Sequence, residues 1–332
     1  MRVLATGGAG YVGSAAVRLL QKRGHFVKVY DNLSKGHRQA IPADCLIVAD
    51  LADGEKLCQV LRQNRIEAVI HFAGSTAVGE SVENPRLYYR NNVANSLVLL
   101  EAMLDTQVKF IIFSSTAAVY APQNIPLREE SPLSPSSPYA VSKYIMERMI
   151  EHYAAAYHWG YTILRYFNAC GASPDGKYGE DHQPETHLIP LVLQTALGRR
   201  EKLSILGGDY DTADGTCIRD YVHVDDLAEA HVLALEALQG GNGGVYNIGT
   251  GRGCSVLEVI QAAEQIVKFK IVVEMKGRRA GDTSKLVAAA DLIKSRLGWH
   301  PKYENINDII ASAWQWHRQN PQGYPPAEEQ VL

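Results

Sequence analysis

The chain has 332 residues, 46% of them hydrophobic, with 33 basic side chains against 36 acidic ones and a formal net charge of -3. That length supplies a large buried core and room for two lobes in one globule. The charge balance gives no general basic footprint for nucleic acid, and no apolar run approaches the roughly 20 residues that span a bilayer.

Met1 to Ala5 passes straight into a glycine motif, which leaves no room for an apolar leader and its cleavage site, so the expected location is cytoplasmic. Cys45, Cys58, Cys170, Cys217 and Cys254 are scattered, odd in number and never spaced as Cys-x-x-Cys. They suggest neither a disulfide framework nor a zinc knuckle, and no metal-ligating set is read from the sequence.

The first expected strand, Val3 to Thr6, runs into Thr6-Gly7-Gly8-Ala9-Gly10-Tyr11-Val12-Gly13 and then an amphipathic helical pattern. In such a turn Gly7 takes a backbone angle other residues avoid, Gly10 lets the chain approach a pyrophosphate, and Gly13 lets the helix pack closely on the sheet. The helix N-terminus then faces the phosphates with free amides. A second strand, Phe26 to Tyr30, ends at Asp31, whose carboxylate suits an adenosine ribose and would repel a 2′-phosphate. This favours NAD over NADP, although Lys35 and Arg38 keep NADP open, and the alternative for Asp31 is an aspartate capping the turn Asp31-Asn32-Leu33-Ser34.

Further strands are expected over Cys45 to Val48, Ala68 to Phe72, Phe110 to Ser114 and Thr162 to Tyr166. Short apolar runs separated by amphipathic segments predict an α/β fold, a Rossmann-type doubly wound parallel sheet with a smaller C-terminal substrate-binding lobe. The division is placed at 1–167 for an NAD-binding domain and 168–332 for the second lobe, with some interleaving. Beyond Asn168 a polar, glycine-bearing stretch extends through Gly215 before helical patterns resume at Asp225. Ser255-Val256-Leu257-Glu258 reads as a capping box for a helix towards Val267. Pro325, Pro326, Glu328 and Glu329 suggest a loosely held terminus.

Tyr139-Ala140-Val141-Ser142-Lys143 places a phenol and an ammonium four residues apart, on one helical face. A free tyrosine has a pKa of about 10, and a nearby ammonium together with a positive nicotinamide ring would favour its phenolate. Tyr139 could then take a proton from a hydroxyl while hydride leaves the same carbon. Thr116, after the Phe110 to Ser114 strand, could hydrogen-bond the substrate oxygen; otherwise it simply finishes the strand.

With these motifs, His71-Phe72-Ala73-Gly74, Tyr88 to Val93, Ser114 to Tyr120, Leu164 to Asn168, Gly198-Arg199-Arg200, Asp214-Gly215-Thr216, Arg219 to Val224 and Pro321 to Tyr324 stand in one order along nearly the whole chain. In this the chain resembles the extended short-chain dehydrogenase/reductases, and within them the UDP-galactose 4-epimerases. The resemblance implies cofactor contacts from Gly7, Gly10, Tyr11, Val12, Asp31, Asn32, Asp50, Leu51, Phe72, Ala73, Gly74, Asn91, Tyr139, Lys143 and Tyr166. It implies chemistry by Thr116, Tyr139 and Lys143, and a UDP-sugar held by Thr116, Tyr139, Asn168, His187, Leu188, Arg219, Arg279 and Asp282. The implied reaction oxidises sugar carbon 4 with bound NAD, turns the keto sugar over and returns the hydride to its other face.

Three positions depart from the pattern. Thr76 stands where many members carry a lysine, His187 where an asparagine is common, and Leu286 near the place of a bulky tyrosine in strict UDP-glucose/galactose enzymes. A smaller Leu286 is expected to admit N-acetylated sugars. Sugar 4,6-dehydratases carry an Asp-Glu pair directly after the active-site threonine, where this chain has Ala117-Ala118. The remaining alternatives are an NADP-linked reductase and a catalytically silent nucleotide sensor. A homodimer is implied through helices around Asn92 to Leu104 and Val141 to Tyr157, although Met146, Met149, Ile150 and Tyr153 form a stripe that could equally face the core.

Overall fold

Short runs of buried aliphatic residues make the strands of the main sheet, and amphipathic segments between them make its covering helices. The computed structural model describes residues 1–279 and 282–325. The first half comprises β1 (Arg2–Thr6), α1 (Tyr11–Lys22), β2 (Phe26–Asp31), β3 (Leu46–Val48), α2 (Gly54–Gln63), β4 (Ala68–His71), α3 (Val78–Glu83), α4 (Pro85–Tyr88), α5 (Asn95–Asp105), β5 (Phe110–Thr116), α6 (Pro138–Tyr157) and β6 (Gly160–Tyr166). Each expected strand is present, with ends displaced by one or two residues. The third starts late because Ala43–Cys45 form a turn of 3-10 helix.

The second half comprises β7 (Asn168–Cys170), α7 (Leu188–Ala196), β8 (Leu203–Leu206), β9 (Ile218–His223), α8 (Val224–Leu238), β10 (Gly244–Ile248), β11 (Gly253–Ser255), α9 (Val256–Val267), β12 (Val273–Lys276), β13 (Lys285–Leu286), α10 (Asp291–Leu297) and α11 (Ile306–Gln319). The stretch through Gly215 thus holds regular structure that its composition hides. Leu188-Ile-Pro-Leu-Val-Leu is apolar on all sides, so it shows no helical period, and Pro190 is tolerated because it lies in the first turn. The capping box of α9 is formed: Ser255 Oγ accepts from the Glu258 N–H at 3.1 Å, and Glu258 Oε2 accepts from the Ser255 N–H at 2.7 Å.

Seven parallel strands form the main sheet in the order β10-β6-β5-β4-β1-β2-β3. The order reverses between β1 and β4, which opens a crevice at their carboxyl ends. Alternate residues serve the two faces. Leu4, Val69, Ile111 and Ile163 pack with Leu57, Leu99, Met146 and Ile150 of α2, α5 and α6. Val3, Ile70, Ile112 and Leu164 pack with Leu227 and Leu235 of α8. Met146 and Ile150 are fully buried in the α2–α5–α6 core, and Met149 and Tyr153 pack half-buried against it, so the apolar stripe on α6 faces inward.

A single cut at 167/168 does not separate the layers: β10 pairs with β6, and α8 packs on α1 through Val224, Ala228, Ala15 and Ala16. The other lobe has its own core, where Ile189, Val192 and Leu193 of α7 meet Val259 and Ile260 of α9 and Ile309 and Ile310 of α11. At the end of the described chain, the Tyr324 N–H donates to Asp181 at 2.8 Å and its ring stacks on His37 at 4.6 Å. The remainder of the expected loose terminus, Pro326, Glu328 and Glu329 included, lies outside the described residues.

Candidate active site

The glycine turn is shaped by close backbone approach. Gly7 has φ +68°, and a Cβ there would lie 2.5 Å from the Ala73 backbone. A Cβ on Gly13 would lie 2.6 Å from the Gly7 carbonyl oxygen, whereas one on Gly10 would meet only that same oxygen, at 3.3 Å. The turn is therefore tightest at Gly7 and Gly13 and less crowded at Gly10. No side chain caps α1 and its first turn carries no acid, so its leading amides are available to a phosphate. Phe72 and Ala73 both donate their N–H groups to the Thr6 carbonyl, holding the two crevice loops together. Val12 and Phe72 line the same contact with α8. The Tyr11 hydroxyl donates to the Gly171 carbonyl at 2.6 Å and so reaches the second lobe.

Asp31 accepts from the Ala9 N–H at 2.9 Å and the Leu33 N–H at 2.8 Å. The turn-capping role is thus present, and the carboxylate retains lone pairs for a ribose. Burial raises its pKa, opposed by these two amides. Asn32 donates to Asp50 at 2.8 Å beside buried Leu51, so these three expected cofactor contacts converge with Asp31. Together the close-packed glycine turn and the converging Asp31 and Asp50 carboxylates fit a dinucleotide lacking a 2′-phosphate.

Thr116 ends β5, directly across from Tyr166 of β6 in the strand register. Tyr139 and Lys143 come from the first turns of α6, which begins with Ser137 as N-cap and Pro138 at its first position. Burial pushes the Tyr139 phenol well above its ordinary value, Tyr166 adds to the shift and a hydrogen bond with Thr116 opposes it. Lys143 is lowered to about 8 by burial, with Glu147 opposing. Its Nζ donates to the Ser114 carbonyl at 2.8 Å and lies 3.5 Å from where a Gly74 Cβ would be. The expected direct lowering of Tyr139 by Lys143 is therefore not found in the protein alone. The ammonium is turned towards Ser114, and a phenol surrounded by low-dielectric protein keeps its proton.

The Gly74 loop rests on a turn of π-helix, Tyr89–Ala94. Asn91 donates to Ser75 Oγ at 3.0 Å, and buried Asn92 donates to the Ser75 carbonyl and to Ser142 Oγ, each at 3.0 Å. Asn92 was visible in the sequence only as part of a motif; its burial makes it the support of this loop. His231 is a second residue that sequence reasoning missed. It lies behind Phe72 and contacts Ser114 Oγ at 2.8 Å, and burial lowers it to about 4, so it is a neutral packing group.

On the substrate side, Asn168 donates to the Asp220 carbonyl at 3.0 Å. Arg219 lies 3.6 Å from Asp282, and Arg279 donates to the same carboxylate at 2.8 Å. Leu286 is half-buried and registers with Arg219 across β13 and β9. An open cavity of about 440 Å³ adjoins Asp282 and is lined in part by Pro122, Asn124 and Lys285. His187 stands at the N-cap of α7 without capping it, and Leu188 follows on the core of that lobe. Rather than standing alone, His187 Nδ1 lies 2.7 Å from Glu180, beside His182 and Glu185. The structure thus brings Thr116, Tyr139 and Lys143 together at the crevice, and Arg219, Arg279 and Asp282 into a second group with Leu286. The residues after Thr116 are Ala117 and Ala118, in a turn of 3-10 helix, with no carboxylate pair.

Fold and site together are those of a dinucleotide-dependent α/β enzyme. The chain belongs to the NAD dependent epimerase/dehydratase family, whose model matches residues 3–249. It is 47% identical over 326 residues to the UDP-glucose 4-epimerase of Halalkalibacterium halodurans, covering 98% of each chain. Among solved structures it is similar to a UDP-glucose 4-epimerase with TM-score 0.95 and 48% identity, covering 98% of this chain and 100% of that one. The Bifidobacterium longum UDP-glucose 4-epimerase in complex with NAD+ and UDP gives TM-score 0.93 at 38% identity, with 98% and 100% covered. The UDP-Glc/GlcNAc 4-epimerase of Campylobacter jejuni gives 0.84 at 42% identity, with 96% and 99% covered.

Proposed function

We propose that this chain is a UDP-glucose 4-epimerase, interconverting UDP-galactose and UDP-glucose through a transient 4-keto sugar. The observation that carries this reading is the buried Thr116–Tyr139 pair beside Lys143 at the mouth of the glycine cradle, with no acid pair after Thr116 to support dehydration. When bound, NAD supplies the acceptor and then the donor of a hydride at sugar carbon 4, and its positive ring lowers the cost of a phenolate nearby. Tyr139 removes the proton of the 4-hydroxyl and later returns one to the same oxygen, once the keto sugar has turned its opposite face to the returning hydride. Thr116 hydrogen-bonds the same oxygen, and Lys143, whose ammonium lies beside Gly74, would hold the ribose of the nicotinamide half. Arg219 and Arg279 grip the diphosphate, whose charge competes with Asp282 for both guanidinium groups. Asn168, His187 and Leu188 complete that end.

Anchoring the nucleotide while leaving the sugar free to turn gives access to both faces. The main sheet with α8 and β10 serves the cofactor, and the lobe of α7, α9 and α11 serves the UDP-sugar. Proton NMR of the purified protein with UDP-galactose, without and then with added NAD, tests the assignment. UDP-glucose appears without accumulating NADH; a keto sugar alone, or no product in either run, overturns it.

The similarity to a UDP-Glc/GlcNAc 4-epimerase and the modest bulk of Leu286 support turnover of N-acetylated substrates as well. Good activity on UDP-galactose with none on UDP-N-acetylgalactosamine contradicts this. A cytoplasmic homodimer completes the reading. Leu97 on α5 and Tyr157 on α6 remain exposed on the helices in question. Light scattering that shows only a species near 36.5 kDa rejects the dimer.

A further inference from the structure

Ahead of α7, the segment Glu180-Asp-His-Gln-Pro-Glu-Thr-His187 gathers four side chains whose shared chemistry the epimerase reaction does not use. Glu180, His182, Glu185 and His187 each offer one ligand atom, and all four atoms lie within 4.8 Å of one another. The four histidine–carboxylate distances are 2.7 Å and 3.4 Å from His187 Nδ1 and 3.2 Å and 3.7 Å from His182 Nδ1. A tetrahedral zinc site with bonds of about 2.0–2.1 Å has edges of about 3.3 Å; the histidine–carboxylate distances, which involve both oxygens of Glu185, lie on either side of that edge, and the one-atom-per-residue set, spread over as much as 4.8 Å, draws together to hold one ion.

A second observation points to an occupant. Glu180 is 3% exposed, yet its Oε1 has no hydrogen bond of acceptable direction, and neither has the buried Nδ1 of His182. Both atoms lie close to partners within the quartet, Glu180 Oε1 at 2.7 Å from His187 Nδ1 and 3.2 Å from His182 Nδ1, without a well-directed hydrogen bond between them. Surface ion pairs do not account for a buried carboxylate oxygen left in this way, because such groups are otherwise hydrogen-bonded.

We propose that Glu180, His182, Glu185 and His187 form a structural site for a divalent transition-metal ion, with Zn2+ the best match to two imidazoles and two carboxylates. Four protein ligands with no open position make the site structural, and nitrogen and oxygen donors in a tetrahedral set suit zinc over magnesium or calcium. The ion closes a segment already tied to three others. Trp316 of α11 donates to the Glu180 carbonyl at 3.1 Å, and Lys35 to the Gln183 carbonyl at 2.8 Å. The His182 ring meets Tyr11 of the glycine turn edge-on at 6.3 Å. Coordination through Nδ1 leaves the Nε2–H of His187 as a donor, so metal binding and a contact from His187 to a phosphate are compatible.

The test reads metal content and needs no turnover. The full-length, tag-free protein, as purified, is stripped with a chelator, loaded with Zn2+ and desalted, and its metal is counted by mass spectrometry. One zinc per chain is expected, with a metal-dependent rise in Tm. Co2+ in its place gives the intense visible absorption of four-coordinate cobalt. His182→Gln and Glu185→Gln each weaken binding, on the order of 100-fold, with circular dichroism unchanged. Substoichiometric zinc in the wild-type protein, a weak six-coordinate cobalt spectrum, or wild-type affinity in the folded double variant overturns the proposal. If the variants fail to fold, wild-type stoichiometry and the cobalt spectrum still decide it.

Discussion

At the scale of single residues, the site is a phenol and an amine that burial has made reluctant to ionise. Tyr139→Phe keeps the ring and removes the proton carrier. It is expected to lower kcat by about 10²–10⁴-fold while the fold and KM change little, as steady-state kinetics would show. A loss below tenfold would take Tyr139 out of the chemistry. Lys143 carries a second prediction through linkage. Its folded value of about 8 lies below the ordinary 10.5, so between those limits the folded protein binds fewer protons there than the unfolded chain. Stability from this group therefore rises with pH across that window, and its penalty is complete below about pH 8. Urea unfolding across the window should show Lys143→Met to be flatter than wild type; equal slopes would mean the ammonium is not desolvated. Tyr139, Lys143 and Thr116 were legible from spacing and motif. The direction in which Lys143 points was not, because it depends on the Ser114 carbonyl of β5, 29 residues away in the sequence.

At the scale of elements, the start of α6 sets the positions of Tyr139 and Lys143. Ser137 Oγ accepts from the Ala140 N–H at 3.2 Å and fixes the turn that carries Tyr139. Ser137→Ala is expected to cost about 1 kcal/mol, read as a lower urea midpoint at unchanged m, and to lower kcat as that turn frays. Unchanged kcat with lowered stability would mean that the cap does not position Tyr139. The strands of the main sheet were legible because each is a short apolar run bounded by turn residues. In contrast, α7 was hidden by its uniform apolarity, and the π-helical turn at Tyr89–Ala94 has no period of its own to read. The quartet before α7 escaped notice because its spacing matches no familiar metal signature, and only folding brings Glu180 inward.

At the scale of the whole molecule, the two lobes are joined by a buried carboxylate as well as by the chain crossing between them. Asp220 of β9 accepts from the Thr250 N–H at 2.9 Å, the Thr250 hydroxyl at 2.7 Å, the Gly251 N–H at 3.0 Å and the Ala288 N–H at 3.2 Å. It thereby ties the substrate-side strands to the loop that leaves β10. Asp220→Ala strands four donors, three of them buried, and is expected to cost about 3 kcal/mol or more by urea unfolding. A cost under about 1 kcal/mol would show that water replaces the carboxylate there. The architecture of the sheet was readable in advance. Its interleaving was less so, since α8 and β10 return to the first layer only through long-range pairing that no local pattern records.

Transient oxidation within one closed site makes the most direct demand on an isotope. UDP-galactose carrying deuterium at carbon 4 is incubated with the enzyme in ordinary water, and the UDP-glucose formed is read by NMR. Deuterium retained at carbon 4 is the expected result, because the atom leaves and returns as hydride without meeting solvent. Washout of the deuterium would mean that the carbon exchanges its hydrogen as a proton and would contradict the mechanism.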